Sequence, residues 1–399
     1  MRRGPFSALT LLLAWLPLVA ACAGQPPCPP LPSDATRAGI LDAPARLSEG
    51  FQMFGQLKAP DKTWVEIGGR SYGAQADERG PLGGGGGYRD IITSGDYQVS
   101  TLEDLLAALD KAQPGQVVFV EPGAEIDCTE RVIVEGLVLT VPAGVTLASD
   151  RGHQGSPGGL IFSDAFQTKP LIRVQGANAR IAGLRLRGPD PKRRQEFTRY
   201  AYADRKSRGL KYYWKFPPSI GIIAMADRLE VDNCEIAGFN WSGVHLKRGR
   251  DHHVHHCYIH HCQRDALGYG VSMAHAMARV SHNIFNWNRH SITGSGPPDS
   301  GYQADNNLIL GDTLSSPIDM HGGADRGDKT NIAGGWLKIM HNTVMCDFPY
   351  AVGIRGVPVE TAVVEGNWFQ RHTPETAVQT LGNTIIQKNA YGLDIPQAR

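Results

Sequence analysis

The sequence carries almost no net charge: 40 Lys and Arg against 39 Asp and Glu leave +1 with histidine neutral. A chain with no cationic excess lacks the electrostatic footprint of a general nucleic-acid or membrane-surface binder. Its leading apolar run, Leu9 to Val19, is too short for a good transmembrane span. Its seven cysteines show no metal-finger spacing. The glycine run in "GPLGGGGGYRD" has no phosphate-loop lysine, which makes it a loop and not a nucleotide site.

What is present begins with an export signal. Arg2 and Arg3 form a basic start, Leu9 to Val19 an apolar stretch, and Ala20-Ala21 the small residues before a cut. The end, Val19-Ala20-Ala21-Cys22, resembles a bacterial lipobox, which implies that Cys22 becomes the lipidated N-terminus. The plainer alternative is a secretory signal followed by an incidental cysteine. The expected location is therefore the cell envelope, at the outer membrane or cell surface, with the membrane touched only through the anchor and the protein a monomer. The division expected is a signal over 1–22, a Pro-rich tether over 23–35, an N-terminal extension over 36–98 and a repetitive region over 99–393.

The repeats are short and strand-like: "LEVDNCEIAGF", "HHVHHCYIHHC", "ARVSHNIFNWN", "YQADNNLILGD", "LKIMHNTVMCD", "AVVEGNWFQRH" and "TIIQKNAYG". They align on Cys234, Cys257, Asn283, Asn307, Asn342, Asn367 and Asn389, in steps of 23, 26, 24, 35, 25 and 22 residues. A period in the twenties without helical periodicity means a β-solenoid. Each turn buries its apolar face only by stacking on the next, so identical residues form columns. The asparagines are expected to make a hydrogen-bonded amide ladder at a bend, with Cys234 and Cys257 as small packing residues in the same column. "STLEDLLAALDKAQPG" supplies a cap for the first coil. Ser100 and Glu103 read as a capping box, Leu102, Leu105, Leu106 and Leu109 as one apolar helix face, and Gly115 as its end.

The cap followed by "QVVFVEPGAEIDCT", the segment "LTVPAGVTLASDRG" and the "HN" and "NN" turns resemble the pectate-lyase-like superfamily. That resemblance implies an all-β fold: a single-stranded right-handed parallel β-helix with an N-terminal capping helix. The superfamily holds lyases, hydrolases, epimerases and binding proteins, so it implies a carbohydrate-active protein and no single reaction. The paired-aspartate pattern of its polygalacturonase-type hydrolases is not evident here, nor is the calcium-carboxylate cluster of its pectate lyases.

Strand alternation selects an outward set after each bend: His245 and Lys247, Tyr269, Thr293 and Ser295, Asp319 and His321, and Arg355. Stacked at roughly 4.8 Å these make a polar strip on one face. Arg289 and His290 lead into it, and Asp265 lies in the turn before Tyr269. Its expected centre is Arg289, His290, Asp319 and His321. A histidine oriented by a carboxylate is a general base near neutral pH.

The leading reading is β-elimination on an anionic, uronic-acid-containing polysaccharide. Arg355 or Arg289 would bind the carboxylate, His290 or His321 take the proton, and Tyr269 protonate the leaving oxygen, with Lys247 an alternative base. Hydrolysis would need two carboxyl groups, for which Asp265 and Asp319 are the pair. A surface solenoid that binds glycan without turnover is the third reading. No cofactor is required, although His290, Asp319 and His321 would suit a divalent cation.

The insertion 188–218 mixes nine Lys and Arg with Tyr200, Tyr202, Tyr212, Tyr213 and Trp214. Tyr213 and Trp214 are expected to stack on sugar rings. Nucleic acid would suit the same composition, but export argues against it. The histidines from His252 to His261 are expected at the surface and in turns, because alternation keeps them from converging.

Overall fold

The computed structural model describes residues 60–190 and 194–393. The expected signal, Cys22 and the Pro-rich tether lie outside the described residues. The chain from Tyr97 onward winds as a right-handed parallel β-helix whose coils each contribute up to three short strands. One face stacks Val117–Val120, Thr146–Ala148, Arg180–Ala182 and Glu230–Asp232, and continues to Thr384–Gln387. A second face stacks Ile172–Val174, Ile220–Ala224, His290–Gly294, Ile318–Met320 and Val352–Ile354 with their neighbours. The third is a ten-stranded sheet from Glu125–Asp127 to Ala390–Tyr391. Ser242–His255 and Tyr269–Ser281 are long strands that bend through both of the first two faces and join them.

Register explains the core. On the first face Val118, Leu147, Ile181, Val231, Val254, Val280, Ala304, Ile339 and Val364 stand directly over one another, and all are buried. β-branched side chains fit such a stacked, pleated interior, and each adds roughly 1.5–3 kcal/mol of apolar burial.

The bend after this face uses one device repeatedly. Asn233, His256, His282, Asn306 and His341 each adopt left-handed backbone, with φ between 49° and 55°. The next residue carries the ladder. Nδ2 of Asn283, Asn307, Asn342 and Asn367 donates to Oδ1 of the following asparagine, at 3.0 Å in every case, ending on Asn389. Each of these amides also donates to a backbone carbonyl inside the coil. Cys257 and Cys234 extend the column as buried free thiols.

The cap forms over Leu102–Lys111 and buries Leu102, Leu105 and Leu109 against the first coils. Its N-cap is Thr101, whose hydroxyl accepts from the Asp104 amide at 3.2 Å, one residue later than the Ser100–Glu103 box expected from sequence. The threonine wins because it stands directly before the first helical residue.

Residues 60–90 were not expected to have a defined role. They form a strap that runs along the outside of the Asn bend, against the direction of coiling. The antiparallel pair Trp64–Ile67 and Arg70–Gly73 packs Val65 on Trp368 and Ala390 at late coils. The strap then bonds Thr343, Asn306, the His282 carbonyl and finally Asn233 and Asp232 at earlier ones. The glycine run is what lets it lie flush. Gly84, at φ +66°, would place a Cβ 2.3 Å from the His256 carbonyl oxygen.

The histidines between His252 and His261 are corrected by the structure. His252, His255, His256, His260 and His261 are all 0–2% exposed. Pairs of adjacent histidines at the two ends of one strand bond through Nδ1, His255 to His256 at 3.0 Å and His260 to His261 at 2.7 Å. Alternation fails here because the second histidine of each pair is left-handed, which swings its ring back beside the first.

Replacing Asn307 by Ala strands the Asn283 backbone and side-chain N–H groups that Oδ1 accepts, and removes the Nδ2 donor from the Val280 carbonyl. Unfolding in urea should show a loss of about 3 kcal/mol, since each buried unmet group costs roughly 1–3 kcal/mol. Exposed Lys338→Ala should change stability by no more than about 0.5 kcal/mol. Equal effects at the two positions would mean the ladder is incidental.

Candidate functional site

The second face positions the site. Its outward column is Arg173, Ile223, His245, Ser272, Thr293 and Asp319, set by parallel register. Two residues further along, His321 and Arg355 stand outward on neighbouring coils. Tyr269 does not belong to this column. It pairs with Ser242 and His290 at the start of the strands, beside the turn from the third sheet.

These elements converge. Asp319, 2% exposed, is the hub. Its Oδ2 accepts from Arg355 Nη2 at 2.8 Å and Thr293 Oγ1 at 3.3 Å, with His321 Nε2 at 3.1 Å and His290 Nε2 at 4.0 Å. The Tyr269 and His290 rings lie 5.8 Å apart and nearly parallel, and the His321 ring stands across both at 6.2 and 6.0 Å. Arg355 is braced from the far side by Asp325 at 2.8 Å, a residue the sequence reading missed because it follows a glycine pair outside the repeat. The four residues expected at the centre, Arg289, His290, Asp319 and His321, are brought together, and Tyr269 and Arg355 of the strip join them.

The electrostatics give each group a defined state. Burial drives the His290 imidazole down to about 3, although Asp319 pulls the other way. Its Nδ1–H donates to the Ser316 carbonyl, so the lone pair sits on Nε2 and faces Asp319. Burial alone would raise the Asp319 carboxyl, but His290, His321 and Arg355 outweigh it and hold it well below the carboxylate range. Burial raises the Tyr269 phenol, with Arg289 pulling it back, so the phenol keeps its proton. Arg289 Nη1, His290 Nε2 and Arg355 Nε are buried without a hydrogen-bond partner, and His321 Nε2 approaches Asp319 without the alignment of one. Each unmet buried group costs about 1–3 kcal/mol, and here they concentrate around one carboxylate.

Asp265 stands at the edge. Burial raises its carboxyl against the pull of Arg199, Arg289, Arg205 and Arg264. The insertion packs over this turn as helices Arg194–Ala203, Arg205–Arg208 and Leu210–Tyr213. Buried Arg264 fastens it, donating to Tyr213 Oη at 3.0 Å and to the Tyr213 and Phe216 carbonyls. Tyr213 is therefore corrected: at 0% exposure it is a structural anchor and cannot stack on a sugar. Trp214 beside it is 48% exposed and remains available.

Lys247 and His245 are not part of the centre. His245 is three strands from Asp319 in the register, roughly 14 Å at 4.8 Å per strand. Lys247 is thereby excluded as a base acting at the His290 cluster. Both line a cavity of about 590 Å³ with Lys169, Arg173, Trp241 and Met225, on the same face toward the N-terminal coils. Four basic side chains, Lys169, Arg173, His245 and Lys247, line it and no carboxylate does. Lys169 Nζ lies 4.3 Å over the Trp241 ring. Burial, then Lys247 and Arg264, lowers the Lys169 ammonium, and burial with both lysines drives His245 down to about 4. Arg173 was legible: extending the outward alternation two coils earlier than His245, past Ile223 and into "LIRVQG", selects it.

For a metal, His290, Asp319 and His321 offer ligand atoms within 4.8 Å of one another. Two imidazoles and a carboxylate are a zinc-type donor set, but Arg355 already occupies the same Asp319 oxygen.

No family model and no curated protein matches this chain. Among solved structures it is similar to the alginate lyase from Paenibacillus sp. str. FPU-7, at 14% identity over 74% of this chain and 94% of that one, TM-score 0.43. It is similar to the family 28 exopolygalacturonase of Yersinia enterocolitica, at 12% identity, 76% and 64% coverage and TM-score 0.43. It is also similar to the pectin methylesterase from Aspergillus niger, at 10% identity, 80% and 87% coverage and TM-score 0.35. These are likenesses at the level of the coil.

The His290 state has a stability consequence. The folded group titrates near 3 and the ordinary imidazole at 6.5, so between those values only the unfolded chain holds the proton. Stability is full above 6.5 and falls as pH drops toward 3, by about 1.4 kcal/mol per unit for one such group. Urea unfolding of His290→Gln at pH 7 and pH 4 should show a correspondingly shallower acid loss than wild type. An unchanged slope would mean His290 is not held neutral.

Proposed function

We propose that this protein is a polysaccharide lyase that cleaves an anionic, uronic-acid-containing glycan by β-elimination. The observation that carries this reading is the meeting of a neutral imidazole lone pair, a protonated phenol and two guanidinium groups around one buried carboxylate. The roles follow from their states. Arg289 and Arg355 face the uronate carboxylate with unmet N–H groups and make the adjacent C5–H more acidic. His290 Nε2 takes that proton, and the imidazolium formed is stabilised by Asp319 4.0 Å away. The C5–H electrons form the C4–C5 double bond, the C4–O bond breaks, and Tyr269 gives its proton to the departing oxygen. Solvent then returns a proton to Tyr269 and takes one from His290.

The cationic cavity supports an anionic chain as the occupant of the groove. Sugar units beyond the cleavage point would run along the face onto Lys247, Arg173 and Lys169, with Trp241 beneath them. Hydrolysis is less well supported. Asp319 is committed to Arg355, and Asp265 sits across the turn against the insertion.

Incubation with a panel of uronic-acid polysaccharides should produce the ultraviolet absorbance of an unsaturated uronide. His290→Gln and Tyr269→Phe should lower kcat by about 10²–10⁴. Lys247→Ala and Arg173→Ala should mainly raise KM, with an effect that shrinks at high salt. Reducing ends without the absorbance would replace elimination by hydrolysis, and binding without products would leave a glycan-binding solenoid.

The export signal supports a place in the cell envelope, held by lipid on Cys22. Cys22→Ala should move the protein from the membrane fraction to the soluble fraction and abolish incorporation of labelled acyl chains. Unchanged partition would mean the signal is simply secretory.

A further inference from the structure

We propose that Asp77, His256 and His282 form a second site, for a divalent transition metal of the zinc class, which fastens the N-terminal strap to the outside of the coil. This is independent of the glycan reading, because the site lies at the Asn bend and shares no residue with the groove.

The geometry follows from the repeat. His256 and His282 occupy the same left-handed position in successive coils, at φ 49° and 55°. Their rings are therefore stacked at 4.9 Å with only 5° between planes, and their Nε2 atoms point the same way. The strap carries Asp77 across both. Its Oδ1 lies 3.0 Å from His256 Nε2 and its Oδ2 3.7 Å from His282 Nε2. A tetrahedral zinc with bonds near 2.0–2.1 Å sets its ligand atoms roughly 3.3 Å apart, which these two distances bracket. The carboxylate is pre-set: the Arg79 amide donates to Oδ1 at 2.8 Å, and the Gly80 amide closes the turn on the Asp77 carbonyl. His256 and His282 are 1% and 6% exposed.

The hydrogen-bond chain behind His256 has a tautomer that suits a metal ligand. His256 Nδ1 faces His255 Nδ1 at 3.0 Å, and His255 Nε2 faces Glu230 Oε1 at 3.0 Å. With the His256–Asp77 contact, three polar contacts are linked through two imidazoles. A metal on His256 Nε2 selects one tautomer of this chain: His256 Nδ1–H donates to His255 Nδ1, and His255 Nε2–H donates to Glu230 while Arg79 pairs with Glu230 instead of His255. This is the carboxylate-backed histidine that metal sites use, extended by one imidazole. Arg79 Nη1 can only donate; it lies 3.1 Å from His255 Nε2 and 3.7 Å from Glu230 Oε1, so in this tautomer it turns to the carboxylate.

Two other such groups exist among the described residues, Glu230–His253–His255 and His290–Asp319–His321. In both, guanidinium groups already pair with the carboxylate, Arg79 and Arg180 on Glu230 and Arg355 on Asp319. The ion pairs of Asp77 among the described residues are to the two imidazoles. The nearby Arg279 is forked onto Asp305 at 3.0 and 2.8 Å.

The test uses the full chain, purified without a polyhistidine tag, stripped with chelator and dialysed. Titration with Co²⁺ should give a visible d–d absorption saturating at one equivalent, and Zn²⁺ should displace it. Zn²⁺ should raise the melting temperature and slow tryptic cleavage within residues 60–90. Asp77→Asn and His282→Gln, each checked for native circular dichroism, should weaken binding by at least about 10–100-fold. His290→Gln should bind as wild type does. The proposal fails if the stripped protein takes up neither ion, or if Asp77→Asn and His282→Gln bind as tightly as wild type. It also fails if His290→Gln is the variant that loses the metal.

Discussion

Parallel stacking of one coil on the next, in strict register, is the constraint from which the rest of this molecule follows. Hydrogen bonding fixes the strands at one spacing, so a residue at one place in a coil meets its counterpart in the next. Where that place is inward, Val, Ile and Leu make a continuous column of core. Where it is the bend, asparagine amides bond from Asn283 to Asn389. Where it is outward, polar side chains far apart in sequence stand side by side. Thr293 beside Asp319 and His321 beside Arg355 are products of this register, not of local sequence.

The same constraint separates two chemistries on one coil. The second face carries the groove, with a guanidinium-rich cluster around Asp319 at one end and a cavity lined by Lys169, Arg173 and Lys247 toward the other. The Asn bend lies away from it and carries the strap, with its stacked His256 and His282. Both regions bury ionisable groups, and both manage the cost by pairing. At Asp319 the pairing is incomplete, because Arg289, His290 and Arg355 each keep a polar atom unmet. A protein retains such frustration where something else supplies the partner.

Much of this was legible from period and alternation. The "HN" and "NN" steps locate the bend, counting outward residues from it selects Asp319, His321 and Arg355, and the turn leading into that strip supplies His290, before any geometry is known. The reading missed where a rule of alternation met a break in regular backbone. His256 and His261 were expected to face solvent, yet their left-handed φ sets each ring beside the preceding histidine, and the strap covers His256. Tyr213 was expected to present a ring to sugar, but it lies beneath Arg264 and anchors the insertion. Lys247 was grouped with the centre because strand position was read without counting coils. The count, three strands from Asp319, places it in the cationic cavity.

What the sequence determined by itself is the solenoid: its period, its cap, its amide ladder and the identity of the residues facing out on each coil. These are properties of one coil and its repeat, and a repeat is written in sequence. What only the tertiary structure decided is which coils face which partner from outside the repeat. The strap at Asp77, the seat of the insertion on Arg264 and the brace of Asp325 on Arg355 are contacts between non-repeating segments and the coil. No periodicity encodes them, because each depends on where a long connection lands after the stack has formed.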